Sequence, residues 1–154
     1  MAIQIVNFRP EFASFVKSLN VEWLQTHFVV EEIDERELSD PQQYILDKGG
    51  YIYFVVEDGA VLGTASLIPR GNGEIELGKM AIAPEARGKG LGHLLMDHII
   101  AASKRLNFPS IFLFSNTKLA SAIHLYRKYG FLEIPLGNAL FSRADIKMKL
   151  DLED

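Results

Sequence analysis

The chain has 154 residues, 48% of them hydrophobic, a formal net charge of −4 and no cysteine. That is enough to bury a core without disulfides or metal, and it rules out cysteine nucleophiles and thiolate zinc sites. The acidic balance argues against general nucleic-acid binding and fits, weakly, a cationic small molecule.

In chain order, Ile3-Gln4-Ile5-Val6 reads as a short first strand. Nothing in Met1 to Arg9 has the basic-then-apolar order of a signal peptide, and no apolar run approaches membrane-spanning length. A cytoplasmic protein is therefore expected. Pro10 can open a helix, because its missing N–H is not needed there. Phe12, Phe15, Val16, Leu19 and Trp23 follow at helical spacing. The charged stretch Glu31 to Glu37 reads mainly as a solvated surface, with a cation-attracting wall as its functional alternative. A short helix is expected from Asp40-Pro41 to Asp47, ended by Gly49-Gly50.

Tyr51 to Val56 and Val61 to Ile68 read as two strands around an Asp58-Gly59 hairpin turn. Gly71-Asn72-Gly73 turns the chain again into a third strand, Glu74 to Ile82. Leu91, Leu94, Leu95, Ile99, Ala102 and Leu106 mark a long amphipathic helix. Ile111 to Phe114 is a buried strand, so a right-handed parallel crossover is expected. A helix from Leu119 to Tyr129, capped by Gly130, leads to a strand at Phe131 to Ile134. Finally, Ala144, Ile146, Met148 and Leu150 alternate with Arg143, Asp145, Lys147 and Lys149, the pattern of a half-buried strand. The sum is a mixed α+β fold with a largely antiparallel sheet and one central parallel pair.

The most informative segment is Ala86-Arg87-Gly88-Lys89-Gly90-Leu91-Gly92-His93, between a strand and a long helix. Glycines there let backbone N–H groups close around an anion. The first N–H groups of the helix are unpaired, and its dipole favours negative charge. Arg87 and Lys89 add cations, so the loop reads as a pyrophosphate cradle. It is no Walker A loop, lacking Gly-Lys-Ser/Thr at the required spacing. It is no dinucleotide fingerprint either, since the third glycine would fall on His93 and the preceding strand belongs to a meander.

Arg87-x-x-Gly90-x-Gly92 resembles the coenzyme A pyrophosphate motif of the GNAT acetyltransferases. Glu76 to Pro84 is similar to that family's cofactor-binding fourth strand. Ser115-Asn116 and Ala122 to Phe131 resemble its second motif. The resemblance covers about residues 50 to 150 and implies one GNAT domain over 1–154. It further implies acetyl-CoA lodged between two splayed parallel strands ending near Ile82 and Ser115. Met80, Ala81 and Ile82 would meet the pantetheine as an added strand. Arg87, Gly88, Lys89, Gly90, Leu91, Gly92 and His93 would surround the phosphates, and Asn116 would contact the pantetheine. Tyr126 matches the family's acid position.

Glu76 stands where one branch of the family carries a base, with Glu74, His27 or a water chain as alternatives. For each of these residues a structural role competes: a core tyrosine, a salt-bridged strand residue, a turn-forming asparagine. Trp23, His27 and Glu31 are the candidates for the acceptor side. A small-molecule or peptide amine is the expected substrate, with no metal, no nucleic acid and no membrane, and homodimer formation is open. A non-catalytic acyl-CoA-binding module is the competing reading, and a nucleotide-binding Rossmann domain a third, disfavoured by the glycine spacing.

Overall fold

A computed structural model describes residues 2–152. Among these residues seven strands form one sheet in the order β1-β2-β3-β4-β5-β7-β6. The first four, β1 (Ile3–Asn7), β2 (Tyr51–Glu57), β3 (Ala60–Pro69) and β4 (Ile75–Ile82), run antiparallel to their neighbours. The β2–β3 hairpin turns on Asp58 and Gly59, both at positive φ (51° and 82°), the geometry that a two-residue primed turn requires. The second group, β5 (Ser110–Ser115), β6 (Leu132–Ile134) and β7 (Ile146–Asp151), is antiparallel too, with β7 between β5 and β6.

The two groups meet at β4 and β5, which are parallel and share a single register pair, Glu76 with Phe112. Beyond that pair the strands diverge, so the mixed, largely antiparallel sheet with one splayed parallel pair is present as expected.

Gly63 to Ile68 of β3 are buried throughout, so this strand is covered on both faces. Helix α1 (Ala13–His27) packs against β3 and β4, burying Val16, Leu19, Asn20 and Leu24 along one stripe. Helix α3 (Leu91–Arg105) packs on β3 and buries Leu91, Leu95, Met96, Ile99 and Ala102. Helix α2 (Glu32–Ser39) lies against α1, and α4 (Ala120–Lys128) follows β5. Among the described residues no helix is long and apolar enough to cross a membrane.

Two expectations need correction and one is refined. The short helix expected from Asp40 to Asp47 is present as one turn of π-helix at Gln42–Leu46. The last strand begins at Ile146, not Arg143, because Arg143 turns back toward α2. The acidic run is solvated only in part: Glu32, Glu35 and Arg36 are exposed, but Asp34 and Glu37 are buried, since they face Lys79 of β4 and Arg70 and Arg143 beside the strands.

Candidate active site

The divergence of β4 from β5 opens a cleft with a cavity of about 110 Å³. Its walls come from β4 (Glu76 to Met80), the end of β5 (Leu113 to Asn116), α1 (Asn20, Trp23, Leu24), α4 (Ala122, Tyr126) and the segment before β7 (Phe141, Arg143). Five expected residues line it together: Trp23, Glu76, Met80, Asn116 and Tyr126. His27 and Glu31, Ala81 and Ile82, and the glycine loop are outside that lining.

A β-bulge shapes the β4 wall. Thr64 pairs with Ala81 and Ser66 with Gly78, so Ala65 alone faces Lys79 and Met80. Lys79 absorbs the extra residue at φ 50°. A left-handed lysine costs roughly 1–2 kcal/mol, and it is held there from both ends. Its carbonyl accepts a hydrogen bond from Asn20 Nδ2 (3.1 Å), and its ammonium donates to Asp34 (2.6 Å). Ile82 pairs with Gly63, and its carbonyl accepts from Arg87 Nε (3.1 Å).

Immediately after β4 comes a single 3-10 turn, Pro84–Ala86, and then the glycine loop. Gly88 and Gly90 have φ near +80°, and a Cβ added to either would meet no atom within 4 Å. The loop is thus a backbone concavity at the N-terminus of α3, with Gly90 as the N-cap. Gly92, one residue into the helix, approaches Leu125 of α4 and Met80 of β4, leaving a Cβ ordinary contact distances of 3.6 and 4.0 Å. Arg87 also pairs with Glu22 on α1 (2.5 Å). The carbonyl and ring of His93 lie beside the Tyr129 hydroxyl, at 3.2 and 3.4 Å.

At the other end the wall is built from side chains. Arg70 donates to Glu76 Oε1 through Nε (2.6 Å) and to both oxygens of Glu37 through Nη1 and Nη2 (2.5 and 3.1 Å). Lys79 reaches Glu37 (3.3 Å) and Asp34 (2.6 Å). Arg143 grips Asp34 with two bonds (2.7 and 2.9 Å) and reaches Glu31 (3.2 Å). Seven charges therefore form one chain: Glu76, Arg70, Glu37, Lys79, Asp34, Arg143, Glu31. Glu31 sits at the N-cap of α2; its N–H donates to Asp34 and its carboxylate accepts from the N–H groups of Ser142 and Arg143. Phe141 lies under both cations, with Lys79 Nζ at 4.5 Å and Arg143 Cζ at 4.4 Å from its ring centre.

These surroundings move the titrations in opposite directions. Burial alone would raise Asp34, but hydrogen bonds from Arg143 and the charge of Lys79 win and hold it at about 2. Burial pushes Glu76 above the usual carboxylate value, and Arg70 and Lys79 offset that only in part. Its Oε2 is 2.9 Å from where a Cβ on Gly78 would stand, so the absence of a side chain at 78 makes room for this carboxylate. Burial also pushes the Tyr126 phenol up to about 12, which keeps it protonated through neutral pH.

Asn116 ends β5 as a turn residue: Oδ1 accepts from Lys118 N–H (2.9 Å), and Nδ2 donates to the Arg143 carbonyl (2.8 Å). The Trp23, His27 and Phe28 rings cluster beside the cleft, at 5.1 to 6.3 Å between centres. Lys118 closes over Phe28 and donates to the His27 carbonyl. Sequence reasoning missed Asn20, Arg70, Lys79 and Phe141, along with the pairing of Asp34, Glu37 and Arg143. Two signals were available: Lys79 is the one basic residue in an otherwise largely apolar strand, and Asp34 and Glu37 are three apart and share a helix face.

Residues 16–131 match the model of the acetyltransferase (GNAT) family. The chain is 29% identical over 148 residues to an uncharacterized N-acetyltransferase of Schizosaccharomyces pombe, covering 89% of this chain and 90% of that protein. Its fold is that of a GNAT-family acetyltransferase from Staphylococcus aureus Mu50 (TM-score 0.86, 22% identity, 99% and 100% of the two chains). It is also that of yncA from Salmonella typhimurium, solved with its cofactor acetyl-CoA (TM-score 0.74, 21% identity, 100% and 96%). The chain belongs to the GNAT acetyltransferase family.

Proposed function

We propose that residues 1–154 form one catalytic domain that transfers an acetyl group from acetyl-CoA to a primary amine by direct attack. The observation that carries this reading is the placement of a buried carboxylate with a raised pKa and a protonated phenol on one cavity, beside a glycine-built anion cradle. When bound, acetyl-CoA supplies an acetyl thioester. The cradle fits its pyrophosphate: the concavity at Gly88 and Gly90 is free of side chains and sits on a helix N-terminus. Backbone N–H groups of Gly88, Lys89, Gly90, Leu91 and Gly92 would hold the phosphates, helped by Arg87, Lys89 and His93. Met80, Ala81 and Ile82 would offer backbone along the splayed edge of β4 to the pantetheine amides, and Asn116 would contact it from β5.

Glu76 takes the proton of the incoming ammonium. Its raised pKa brings it closer to the working pH, where a base is most effective. Arg70 holds one of its oxygens and leaves Oε2 for the amine. A backbone N–H of the β4 bulge polarises the carbonyl under attack. Tyr126 would give its phenolic proton to the departing sulfur; burial keeps that proton in place at neutral pH. Trp23, His27 and Glu31 would serve the acceptor side: Trp23 lines the cleft, His27 packs beside Trp23, and Glu31 holds Arg143.

The test is thermal unfolding with acetyl-CoA, NAD and ATP in parallel, followed by thiol release with an amine panel. A ligand at a hundredfold excess over Kd adds about 2.7 kcal/mol to the folded state. A rise in Tm with acetyl-CoA alone, together with amine-dependent thiol release, is expected. A rise without release from any amine would leave an acyl-CoA-binding module; a rise with NAD or ATP alone would remove the cofactor assignment.

A further inference from the structure

Resting on that reading of the cleft, we propose that the acceptor is a small zwitterion: an amine that also carries a carboxylate, as a free amino acid does. Glu76 faces its ammonium, and Arg143 with Lys79 reads its carboxylate.

The charges that reach the cavity carry the argument. Its wall includes three charged side chains: one acid, Glu76, and two bases, Lys79 and Arg143. The acids that neutralise those bases, Asp34, Glu37 and Glu31, are outside the lining. The charged residues lining the cavity are thus one acid and two bases, each base paired on its far side with an acid. The network as a whole is balanced to within one charge, with four acids and three bases. A dication such as a polyamine would place its second charge against that positive pair. A carboxylate would match it.

The donors needed are free. Arg143 uses three N–H bonds toward Asp34 and Glu31; a guanidinium has five, so about two remain. Lys79 donates to Asp34 and stands 3.3 Å from Glu37, so about one of its three ammonium protons remains. Both heads are fixed before any ligand arrives. Phe141 supports them from one ring, and the Arg143 carbonyl is tied to Asn116 at the end of β5. Preorganised donors lose little entropy on binding. A purely structural function would not require this arrangement, since a buried ionic network is often no more stable than apolar packing of the same volume.

The experiment compares each amino acid with its own carboxamide as acceptor, with spermidine and a lysine-containing peptide as carboxylate-poor controls. Amidation removes the carboxylate and also lowers the amine's pKa, so chemistry alone would favour the amide. The expected result is a kcat/KM at least tenfold higher for the acid of at least one pair. That gap should shrink in Arg143→Met mainly through KM and survive in part in Arg143→Lys. The wild-type comparison stands even if Arg143→Met fails to fold.

Equal or better turnover of the amides, or turnover of spermidine or the peptide alone, overturns the proposal and leaves the acetyltransferase reading intact. If acetyl-CoA binds and no amine releases thiol, calorimetry of the same acid and amide pairs decides. Tenfold tighter binding of the acid supports carboxylate recognition without catalysis, and equal binding or none overturns it.

Discussion

The two ends of the cleft are built from different materials. The end beyond Ile82 is backbone: two glycines near φ +80°, a helix N-terminus, and open space where side chains would otherwise stand. The end at Glu76 is side chain: seven charges from four separate stretches of chain, held at 2.5 to 3.3 Å. A backbone cradle recognises any group of the right charge and size, because every residue carries the same N–H. A side-chain wall recognises one pattern of charge. On the proposed function, recognition of the cofactor phosphates falls to backbone and recognition of the acceptor to side chains.

The largest effect that would break this contrast is at the side-chain end. Glu76→Gln keeps the shape and removes the proposed base, and should lower kcat by roughly 100-fold or more, with loss of the acidic limb of the pH–rate profile. A wild-type profile would place the base elsewhere. At the backbone end, Gly90→Val puts a β-branched side chain at φ +79° and into the open concavity. Acetyl-CoA affinity should fall by about 100-fold, or about 2.7 kcal/mol, measured by calorimetry on protein shown to be folded by circular dichroism. Retained affinity would mean that the cradle is not the phosphate site.

A third test uses pH. Asp34 titrates at about 2 in the folded protein against 3.8 for the free side chain. A depressed carboxyl stabilises the fold above its unfolded value, and that contribution is lost as pH falls from about 4 to about 2, amounting to about 2 kcal/mol. Urea unfolding across that window should show the loss in wild type and not in Asp34→Asn, whose stability is lower at neutral pH. The smallest effect sharpens the comparison most. Lys89→Ala removes a cation from a loop whose grip is backbone, and should weaken acetyl-CoA by no more than about fivefold, or about 1 kcal/mol. A hundredfold loss would make the cradle a side-chain site after all.

The same difference explains what was legible in the sequence. Gly88, Gly90 and Gly92 are neighbours in the chain, so their spacing showed the cradle directly. The hairpin at Asp58-Gly59 and the stripe of α3 were visible for the same reason: turn chemistry and helical periodicity are local. The ionic wall is not local. Arg70, Lys79 and Arg143 reach α2 across 33 to 109 residues of chain. Asp34 and Glu37 looked solvated because an acidic run on a short helix normally is, and only tertiary structure supplies their partners. Arg143 was misread because it falls in phase with the alternation of the last strand.

One register pair, Glu76 with Phe112, joins the two halves of the sheet. Mechanically that pair is a fulcrum. If the halves rock, displacement grows with distance from it, so the arms swing most at the glycine loop and least at Glu76. Entry of a long ligand can widen the mouth of the wedge while the carboxylate at its apex stays in place. Such a hinge would separate breathing from precision along the length of a single strand.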